Sequence, residues 1–283
     1  MKWVILRIQK INLADRFKKR EILMVVPKAL VFFDLDGTLL NNKSEVDQEV
    51  IVALEKLKEN GGVPFIATGR SPIEIQHVLD TTPIESFITL NGQYIMYEGK
   101  EIYRSQMPQE LLIRLKKATD KLGLAISFYT SDKIRVTNTS KEVESAYNFI
   151  HAKTPPVDTE IHLNEEVLMS LILTTDTSVD DQLREAFPEL SFYRNTPYSI
   201  DVITKGNSKA TGIQALVKLM QFDKIPTYAF GDGPNDLEML THADYSVAME
   251  NGIDALKKAA DYVTSSHIEG GIVEGLEFYD LIK

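Results

Sequence analysis

Short apolar runs that end in polar residues recur along the first third of the chain. Ala29–Phe33 is continuously apolar and rich in strand-forming residues, and it ends at Asp34. A second run at 63–67 ends at Thr68, and a third, FITL, stops before Asn91. Runs of this kind are typical of parallel strands that are buried on both faces.

Helical patterns separate these strands. The apolar positions after the first strand recur at helical spacing as far as Gly61, and Ser44 with Asp47 forms an S-x-x-D pattern that predicts a helix cap. A second helix is predicted at about 72–79. Strands that alternate with helices in this way predict an open parallel sheet with helices on both faces.

The pattern changes between about Pro108 and Ile200, where strands joined by short turns predict a mixed α+β module. We predict helices at 109–122, 142–150 and 179–187, strands at 124–129, 133–137 and 167–173, and two short strands ending at Ile203. After this module the parallel pattern resumes, with helices at 210–220 and 255–260 and strands at 227–232, 246–249 and 261–264. The prediction is a doubly wound, Rossmann-like α/β core (24–106 and 201–283) interrupted by an inserted α+β cap domain (107–200).

The first 23 residues precede this pattern. Arg7 and Lys10 interrupt their apolar run and no A-x-A site follows, which argues against a signal peptide. We hypothesise that Met24 is the native start, because Arg20-Glu21 can be encoded by a purine tract of the ribosome-binding kind. A native amphipathic helix at 1–23 is the alternative.

Composition excludes several classes of function. The chain of 283 residues has no cysteine, so disulfides, thiolate catalysis and thiolate metal sites are excluded. Its 31 basic and 41 acidic residues give a net charge of −10 without a basic stripe, so we expect no nucleic-acid partner. No segment reaches the roughly 18 apolar residues that span a bilayer. We expect a cytoplasmic protein without a membrane partner, and no obligate protein partner is evident.

Reactive side chains follow three of the predicted strands. Asp34 and Asp36 come after the first strand, Thr68 comes after the second, Asp232 stands at the end of a later one, and Lys209 begins a helix. In doubly wound sheets the carboxyl ends of the strands share one edge, which is where ligands bind. We therefore expect these groups to form one site.

The residue types in this set indicate phosphoryl chemistry. One of two carboxylates placed two residues apart can attack phosphorus while the other moves a proton. Oxygen ligands without nitrogen or sulfur favour magnesium, which would also screen the acidic cluster. Each motif alone has a structural interpretation as a turn or a solvated side chain, and GDGPND lacks the third glycine of a dinucleotide fingerprint because Asp236 replaces it. The specific feature is the combination.

Four motifs together resemble those of the haloacid dehalogenase-like (HAD) hydrolases. They are DLDGT at 34–38, ATGR at 67–70, Lys209 within KGNSKATG, and GDGPND at 231–236. Asn91-Gly92, the insertion between the second and third motifs, and VAMEN at 247–251 resemble the Cof-type branch with a large α/β cap. The resemblance covers roughly residues 24–283.

The resemblance implies a role for each matching residue. Asp34 would be the nucleophile and Asp36 the general acid and then base. Mg²⁺ would be held by the Asp34 carboxylate, the Asp36 backbone carbonyl and Asp232, with Asp236 either behind these ligands or replacing one. The phosphate would contact the Leu35 backbone amide, Thr68, Gly69, Lys209 and Asn235.

The sequence thus predicts a magnesium-dependent phosphatase that acts on a small phosphorylated metabolite such as a sugar phosphate, nucleotide, flavin or pyridoxal phosphate. A phosphomutase and a non-catalytic sugar-phosphate-binding regulator are the alternatives. Substrate selection is expected from the cap, where Tyr129, Tyr147 and Tyr193 are candidates for stacking. We interpret the loop at Glu250, which departs from the family pattern, as peripheral, and His267 as a loop residue rather than a catalyst.

Overall fold

The computed structural model describes residues 26–150 and 152–283. The hypothesis about residues 1–23 lies outside the described residues. The strands are β1 (Ala29–Phe33), β2 (Gly62–Ala67), β3 (Ser86–Thr89), β4 (Tyr94–Tyr97), β5 (Lys100–Arg104), β6 (Ala125–Tyr129), β7 (Ile134–Val136), β8 (Met169–Leu173), β9 (Leu190–Thr196), β10 (Ser199–Thr204), β11 (Thr227–Gly231), β12 (Tyr245–Ala248) and β13 (Tyr262–Val263). The helices are α1 (Gln48–Glu59), α2 (Gln76–Thr81), α3 (Gln109–Lys121), α4 (Lys141–Phe149), α5 (Ile161–Asn164), α6 (Val179–Ala186), α7 (Lys209–Met220), α8 (Leu237–His242), α9 (Asp254–Ala259) and α10 (Gly271–Phe278).

The larger sheet has the strand order β13-β12-β11-β1-β2-β3-β4-β5. The six strands from β13 to β3 are parallel to their neighbours, whereas β4 and β5 pair antiparallel. The central strands β1, β2 and β11 are buried almost throughout, because helices cover both faces. The predicted doubly wound α/β fold is confirmed.

The hairpin β4–β5 was not predicted. Its turn is formed by Glu98 and Gly99, whose φ angles of 44° and 70° are both positive, as a two-residue type I′ turn requires. The apolar run Tyr94–Tyr97 before this turn is the local pattern that indicates a strand. α10 was also missed, because Gly271 and Gly275 interrupt its apolar pattern.

The smaller sheet is antiparallel and has the order β7-β6-β8-β10-β9. All its strands lie between β5 and α7 in the chain, so this unit is inserted into the parallel fold. We propose the division at about residues 107 and 200 predicted from the sequence, with β10 carrying the smaller sheet on to Thr204. None of the helices in the described part of the chain combines the length and hydropathy needed to cross a bilayer.

Aromatic pairs hold the central strands of the larger sheet together. Phe33 and Phe230 have ring centroids 4.9 Å apart, and Phe32 and Phe65 4.8 Å apart on the other face. All four rings are fully buried, so each contributes through the hydrophobic effect, and a pair adds about 0.5–1.5 kcal/mol beyond that. Because Asp34 directly follows Phe33, this packing fixes where the first acidic residue leaves the sheet.

Two local predictions near the larger sheet were wrong. Asp47, not Ser44, is the N-cap residue of α1, and its side chain accepts from Asn41 Nδ2 at 2.7 Å instead of capping the helix. The helix predicted at 72–79 begins only at Gln76. Its early residues form turns because the Glu74 carboxylate folds back onto the N–H and Oγ of Ser71, each at 2.8 Å.

The turn Leu90–Gly92 joins the larger sheet to the site. Its three residues have φ angles of 54°, 52° and 94°, and its backbone N–H groups hold the loop after β2, with Asn91 N–H donating to the Thr68 carbonyl at 3.1 Å. A Cβ on Gly92 would lie 2.1 Å from the Ser208 carbonyl oxygen. Only glycine therefore lets this turn pack against the first turn of α7.

We expect Gly92→Ala to lower the free energy of unfolding by more than about 3 kcal/mol, because it adds a backbone clash to the strain of a positive φ. Gly99→Ala is the matched control: Gly99 also has a positive φ, +70°, but a Cβ there would meet nothing within 4 Å, so only strain of about 1–2 kcal/mol is expected. Urea denaturation measures both. Equal losses would show that the contact with α7 contributes nothing.

Candidate active site

The two strands that end in the key aspartates lie side by side. β1 and β11 are parallel neighbours, yet the chain continues to β2 on one side and to β12 on the other. In doubly wound folds such a reversal opens a crevice at the carboxyl ends of the strands, where ligands bind. Asp34 follows β1 and Asp232 follows β11, and the Asp34 N–H donates to the Phe230 carbonyl at 3.0 Å. The fold therefore brings both aspartates to this crevice.

The turn after β1 depends on Gly37. Its φ is +84°, and a Cβ there would lie 2.4 Å from Asp232 Oδ2. The next residue fixes the same carboxylate, because Thr38 Oγ1 donates to Asp232 Oδ1 at 2.9 Å. Asn251 Nδ2 donates to the Gly37 carbonyl at 2.8 Å and holds the turn from the other side. The glycine in DLDGT thus makes room for a carboxylate from a distant strand.

Lys209 is buried at the start of α7, with 1% of its surface exposed. Ser208 caps this helix, since its Oγ accepts from the Thr211 N–H while Thr211 Oγ1 accepts from the Ser208 N–H. The Lys209 ammonium donates to Asp34 Oδ1 and, at 2.6 Å, to Asp236 Oδ1. Burial alone would lower the pKa of Lys209, but Asp236 and Asp34 outweigh it and raise that pKa. The lysine is therefore charged and shared by two carboxylates.

Asp236 is fully buried, and both of its oxygens accept hydrogen bonds from the protein. One of its oxygens binds Lys209, while Oδ2 accepts from the Gly233 N–H at 2.9 Å and the Asp232 N–H at 3.2 Å. These bonds shape the loop that presents Asp232. Gly231 is needed here too, because a Cβ on it would lie 2.6 Å from the Asp236 Cβ.

The cluster carries more negative than positive charge. Asp34, Asp232 and Asp236 each place an oxygen within 4.8 Å of the others, and Lys209 supplies one positive charge. Burial, and then Asp236, raise the pKa of Asp34 well above its ordinary value although Lys209 opposes them. Burial also raises the pKa of Asp232 to about 6, against the hydrogen bond from Thr38. All of the candidate metal ligands are oxygen atoms, and their negative charge exceeds the single positive charge of Lys209. These residues therefore fit a hard divalent cation.

The loop after β2 forms the opposite side of the crevice. Thr68 is buried, and its N–H donates to the Ile88 carbonyl at 2.9 Å while its Oγ1 accepts from the Arg70 N–H at 3.1 Å. Gly69 follows and lies close to Asn91, since a Cβ on Gly69 would be 3.1 Å from Asn91 Nδ2. The hydroxyl and the exposed backbone here are suited to bind an anion that faces the aspartates.

Asp36 is oriented away from the acidic cluster. Its side chain is 60% exposed and forms a two-point contact with Arg70, with Nε to Oδ2 at 2.8 Å and Nη2 to Oδ1 at 2.5 Å. Burial would lower the pKa of Arg70, but Asp36 more than offsets this and raises it. The role expected for the Asp36 backbone carbonyl in holding a metal stays a prediction.

These groups border one cavity of about 490 Å³ between the two sheets. Most of the predicted site residues line it: Asp34, Asp36, Thr68, Gly69, Asp232 and Asn235. Lys209 and Leu35 are buried beside it, and Lys209 reaches the site through Asp34. Of the three candidate tyrosines, Tyr129 lines this cavity, Tyr147 lines a neighbouring cleft, and Tyr193 lines neither of these two.

Several residues that line the cavity have no role in the prediction from the sequence. Arg70 was predicted only as the last residue of the ATGR motif, and the loop at Glu250 was predicted to be peripheral. Glu250 is indeed exposed, but its neighbour Asn251 lines the cavity and contacts the Gly37 turn. Asp201 was overlooked because it lies in an ordinary alternating strand. His267 lies on the adjacent loop, where its N–H donates to Asn251 Oδ1 at 3.0 Å.

Comparison with known proteins agrees with this arrangement. A family profile described as haloacid dehalogenase-like hydrolase matches residues 31–276. A candidate phosphatase of Bacillus subtilis strain 168, YkrA, is 32% identical over 90% of this chain and 98% of its own length. The phosphatase YitU of the same strain, named for 5-amino-6-(5-phospho-D-ribitylamino)uracil, is 28% identical over 88% of this chain and 97% of its own.

A solved structure has the same architecture. The sugar phosphatase BT4131, described as a member of HAD subclass IIB, superposes with a TM-score of 0.80 at 32% identity, covering 90% of this chain and all of its own.

We expect Lys209→Met to lower the free energy of unfolding by about 3–5 kcal/mol near neutral pH, because it leaves buried carboxylates without their cation. Lys218→Met is the control, since Lys218 is exposed in the last turn of the same helix; a change within about 0.5 kcal/mol is expected there. Urea denaturation in metal-free buffer measures both. A loss for Lys209→Met no larger than the control's would contradict the ion-pair description.

Proposed function

The chain belongs to the haloacid dehalogenase-like hydrolases of the Cof-type branch, and from that membership we propose that it is a magnesium-dependent phosphatase of small phosphorylated metabolites. The observation that carries the proposal is the contact of Lys209 with Asp34 at the junction of β1 and β11. Lys209 binds Oδ1 of the buried Asp34, and no described residue donates a hydrogen bond to Asp34 Oδ2. A carboxylate held in this way is oriented for attack at the crevice.

The phosphoryl group would be bound opposite Asp34. The Leu35 N–H donates to no protein acceptor among the described residues, and Thr68, Gly69 and Asn235 border the same cavity. Together with Lys209 they would place donors around three phosphoryl oxygens, which stabilises the charge of the transition state. We propose Asp34 as the nucleophile and these five residues as the phosphate-binding set.

The reaction would proceed in two steps. Asp34 Oδ2 attacks phosphorus, the bond from phosphorus to the ester oxygen breaks, and Asp36 gives its proton to that oxygen. Water then attacks the aspartyl-phosphate, Asp36 takes the proton, and inorganic phosphate leaves. In the structure Asp36 faces Arg70 and must exchange that contact for the substrate. Because the Asp36 side chain is largely exposed, water can reach its carboxylate during this exchange.

We propose that Asp34, Asp232 and the backbone carbonyl of Asp36 would hold Mg²⁺. Asp236 is a less favourable direct ligand, because both of its oxygens already accept protein hydrogen bonds, whereas Oδ2 of Asp34 and Oδ2 of Asp232 accept none from the described residues. When bound, the cation would offset the excess negative charge and withdraw electron density from the phosphoryl oxygens.

The substrate is proposed as a phosphate monoester of a small metabolite. Two relatives are named for such esters, one for a sugar phosphate and one for a phosphorylated ribityl compound, and the cavity volume of about 490 Å³ suits a ligand of this size. The cytoplasmic location expected from the sequence stays a prediction.

We expect Asp34→Asn to reduce phosphate release by at least about 10³-fold, because an amide cannot form the aspartyl-phosphate. The fold should stay intact, since the change removes one of three crowded acidic groups. Inorganic phosphate released from p-nitrophenyl phosphate is the measurement. The control is Asp181→Asn on α6, whose side chain is 92% exposed. Turnover by Asp34→Asn near that of the control would refute Asp34 as the nucleophile. If the unmodified protein released less inorganic phosphate than p-nitrophenol, a phosphomutase would be favoured.

Removing divalent cations should abolish turnover and lower the thermal unfolding midpoint, and Mg²⁺ should restore both. The reason is that ligand bound to the folded state adds about 2.7 kcal/mol of stability at a concentration 100 times its dissociation constant. Asp232→Asn should require more Mg²⁺ for the same restoration, whereas Asp181→Asn should behave like the unmodified protein. Full activity in excess chelator would contradict the proposal.

A further inference from the structure

The smaller sheet supplies one wall of the cavity, and the acidic cluster at the strand ends of the larger sheet supplies another. Tyr129, Met169 and Leu171 give this wall an apolar portion, and Asn195 and Asp201 give it a polar one. In the proposed function the phosphoryl group lies at the strand ends of the larger sheet. The alcohol portion of the substrate would therefore lie against this wall. The polar groups here therefore meet the leaving group.

Asp201 is held in one orientation by two amides. Asn91 Nδ2 and Asn195 Nδ2 both donate to Asp201 Oδ2, at 3.0 Å and 3.1 Å. Its other oxygen, Oδ1, accepts no hydrogen bond from the described residues. The carboxylate also lies beside the phosphate-binding loop, since a Cβ on Gly69 would be 3.2 Å from Asp201 Oδ2. The cavity thus contains a fixed acceptor next to the place proposed for the phosphate.

Glu74 repeats this arrangement nearby. Its Oε2 accepts from the N–H and Oγ of Ser71, its Oε1 accepts from no described donor, and the side chain lines the same cavity. Burial raises the pKa of Asp201 to about 6, although the hydrogen bonds from Asn91 and Asn195 oppose this. Among the described residues that line the cavity, Arg70 has the single cationic side chain, and it already binds Asp36.

Carboxylates only accept hydrogen bonds, so their partner must donate. A hydroxyl or an amine satisfies this requirement, whereas a second phosphate or a carboxylate would meet like charge. We propose that Asp201 is a specificity-determining residue, which accepts a hydrogen bond from a hydroxyl of the leaving group close to the phosphoester and disfavours substrates with a second anionic group there. This inference rests on the proposed phosphatase function.

The test compares three substrates of matched carbon chain: a hexitol monophosphate, n-hexyl phosphate and a hexose bisphosphate. The unmodified protein should have its highest kcat/KM with the hexitol monophosphate. Asp201→Asn can keep its carbonyl oxygen towards Asn91 and Asn195 and present an NH₂ group in place of Oδ1. The preference for hexitol monophosphate over n-hexyl phosphate should then fall by about 10- to 100-fold, the effect of losing a hydrogen bond to a charged group. The kcat/KM of Asp201→Asn for the hexose bisphosphate should rise relative to its kcat/KM for the hexitol monophosphate.

Asn195→Ala is the second variant, because Asn195 is exposed and its loss leaves the core unchanged. We expect Asn195→Ala to lower the preference for hexitol monophosphate over n-hexyl phosphate by about 3-fold, because Asp201 loses one of the two donors that fix its orientation. The control, Asp181→Asn, should leave the ratio unaltered.

Three results would overturn the inference. One is an equal loss by Asp201→Asn on all three substrates, which would mean that Asp201 acts only by supporting the phosphate-binding loop through Asn91. The second is a preference of the unmodified protein for n-hexyl phosphate. The third is a preference for the bisphosphate, whose second phosphate would then reach Lys43 and Lys153 in the neighbouring cleft. Absence of phosphate release from every substrate would instead refute the proposed function itself.

Discussion

The concentration of negative charge around one buried lysine is the constraint on which the site depends. Three carboxylates from two strand ends and a loop lie together, two of them bind Lys209, and water is excluded from most of them. Such a cluster is costly unless every charge is compensated. The helix cap at Ser208, the glycines that let carboxylates approach and the hydrogen bonds to Asp236 all keep this geometry in place. The local backbone can be understood as the support for that charge cluster.

Much of the larger sheet could be predicted because its central strands are buried on both faces. Such strands are continuous apolar runs, and the polar residue after each run marks the strand end, as at Asp34 and Thr68. The elements that were missed or misplaced depend on other information. The β4–β5 hairpin adds an antiparallel edge, and the cap pattern at Ser44 failed because Asn41 organises that loop through its own side-chain contacts.

The candidate site was predictable to the extent that its residues stand in short motifs. The motif residues were expected together, and the structure brings most of them to one cavity. The pairing of Asp36 with Arg70 and of Asp201 with Asn91 was not predictable, because each contact joins segments far apart in the chain, 34 and 110 residues in these cases. No local sequence pattern predicts contacts between such distant segments. In the proposed function the two sheets would have separate tasks, with phosphate chemistry on the parallel sheet and contact with the leaving group on the antiparallel one.

The junction of β1 and β11 has a consequence for how the protein acquires its site during synthesis. Thr38 and Asp232, which bond across this junction, are 194 residues apart in the chain. A ribosome adding about 5–20 residues per second needs roughly 10–40 s to make that interval. During this time the apolar edge of β1 lacks the neighbour that later covers it, while the inserted sheet, whose contacts are nearer in the chain, can already form. Loop-closure entropy also makes such distant pairing slow. Asp34, the proposed nucleophile, is thus made well before the strand that completes its surroundings.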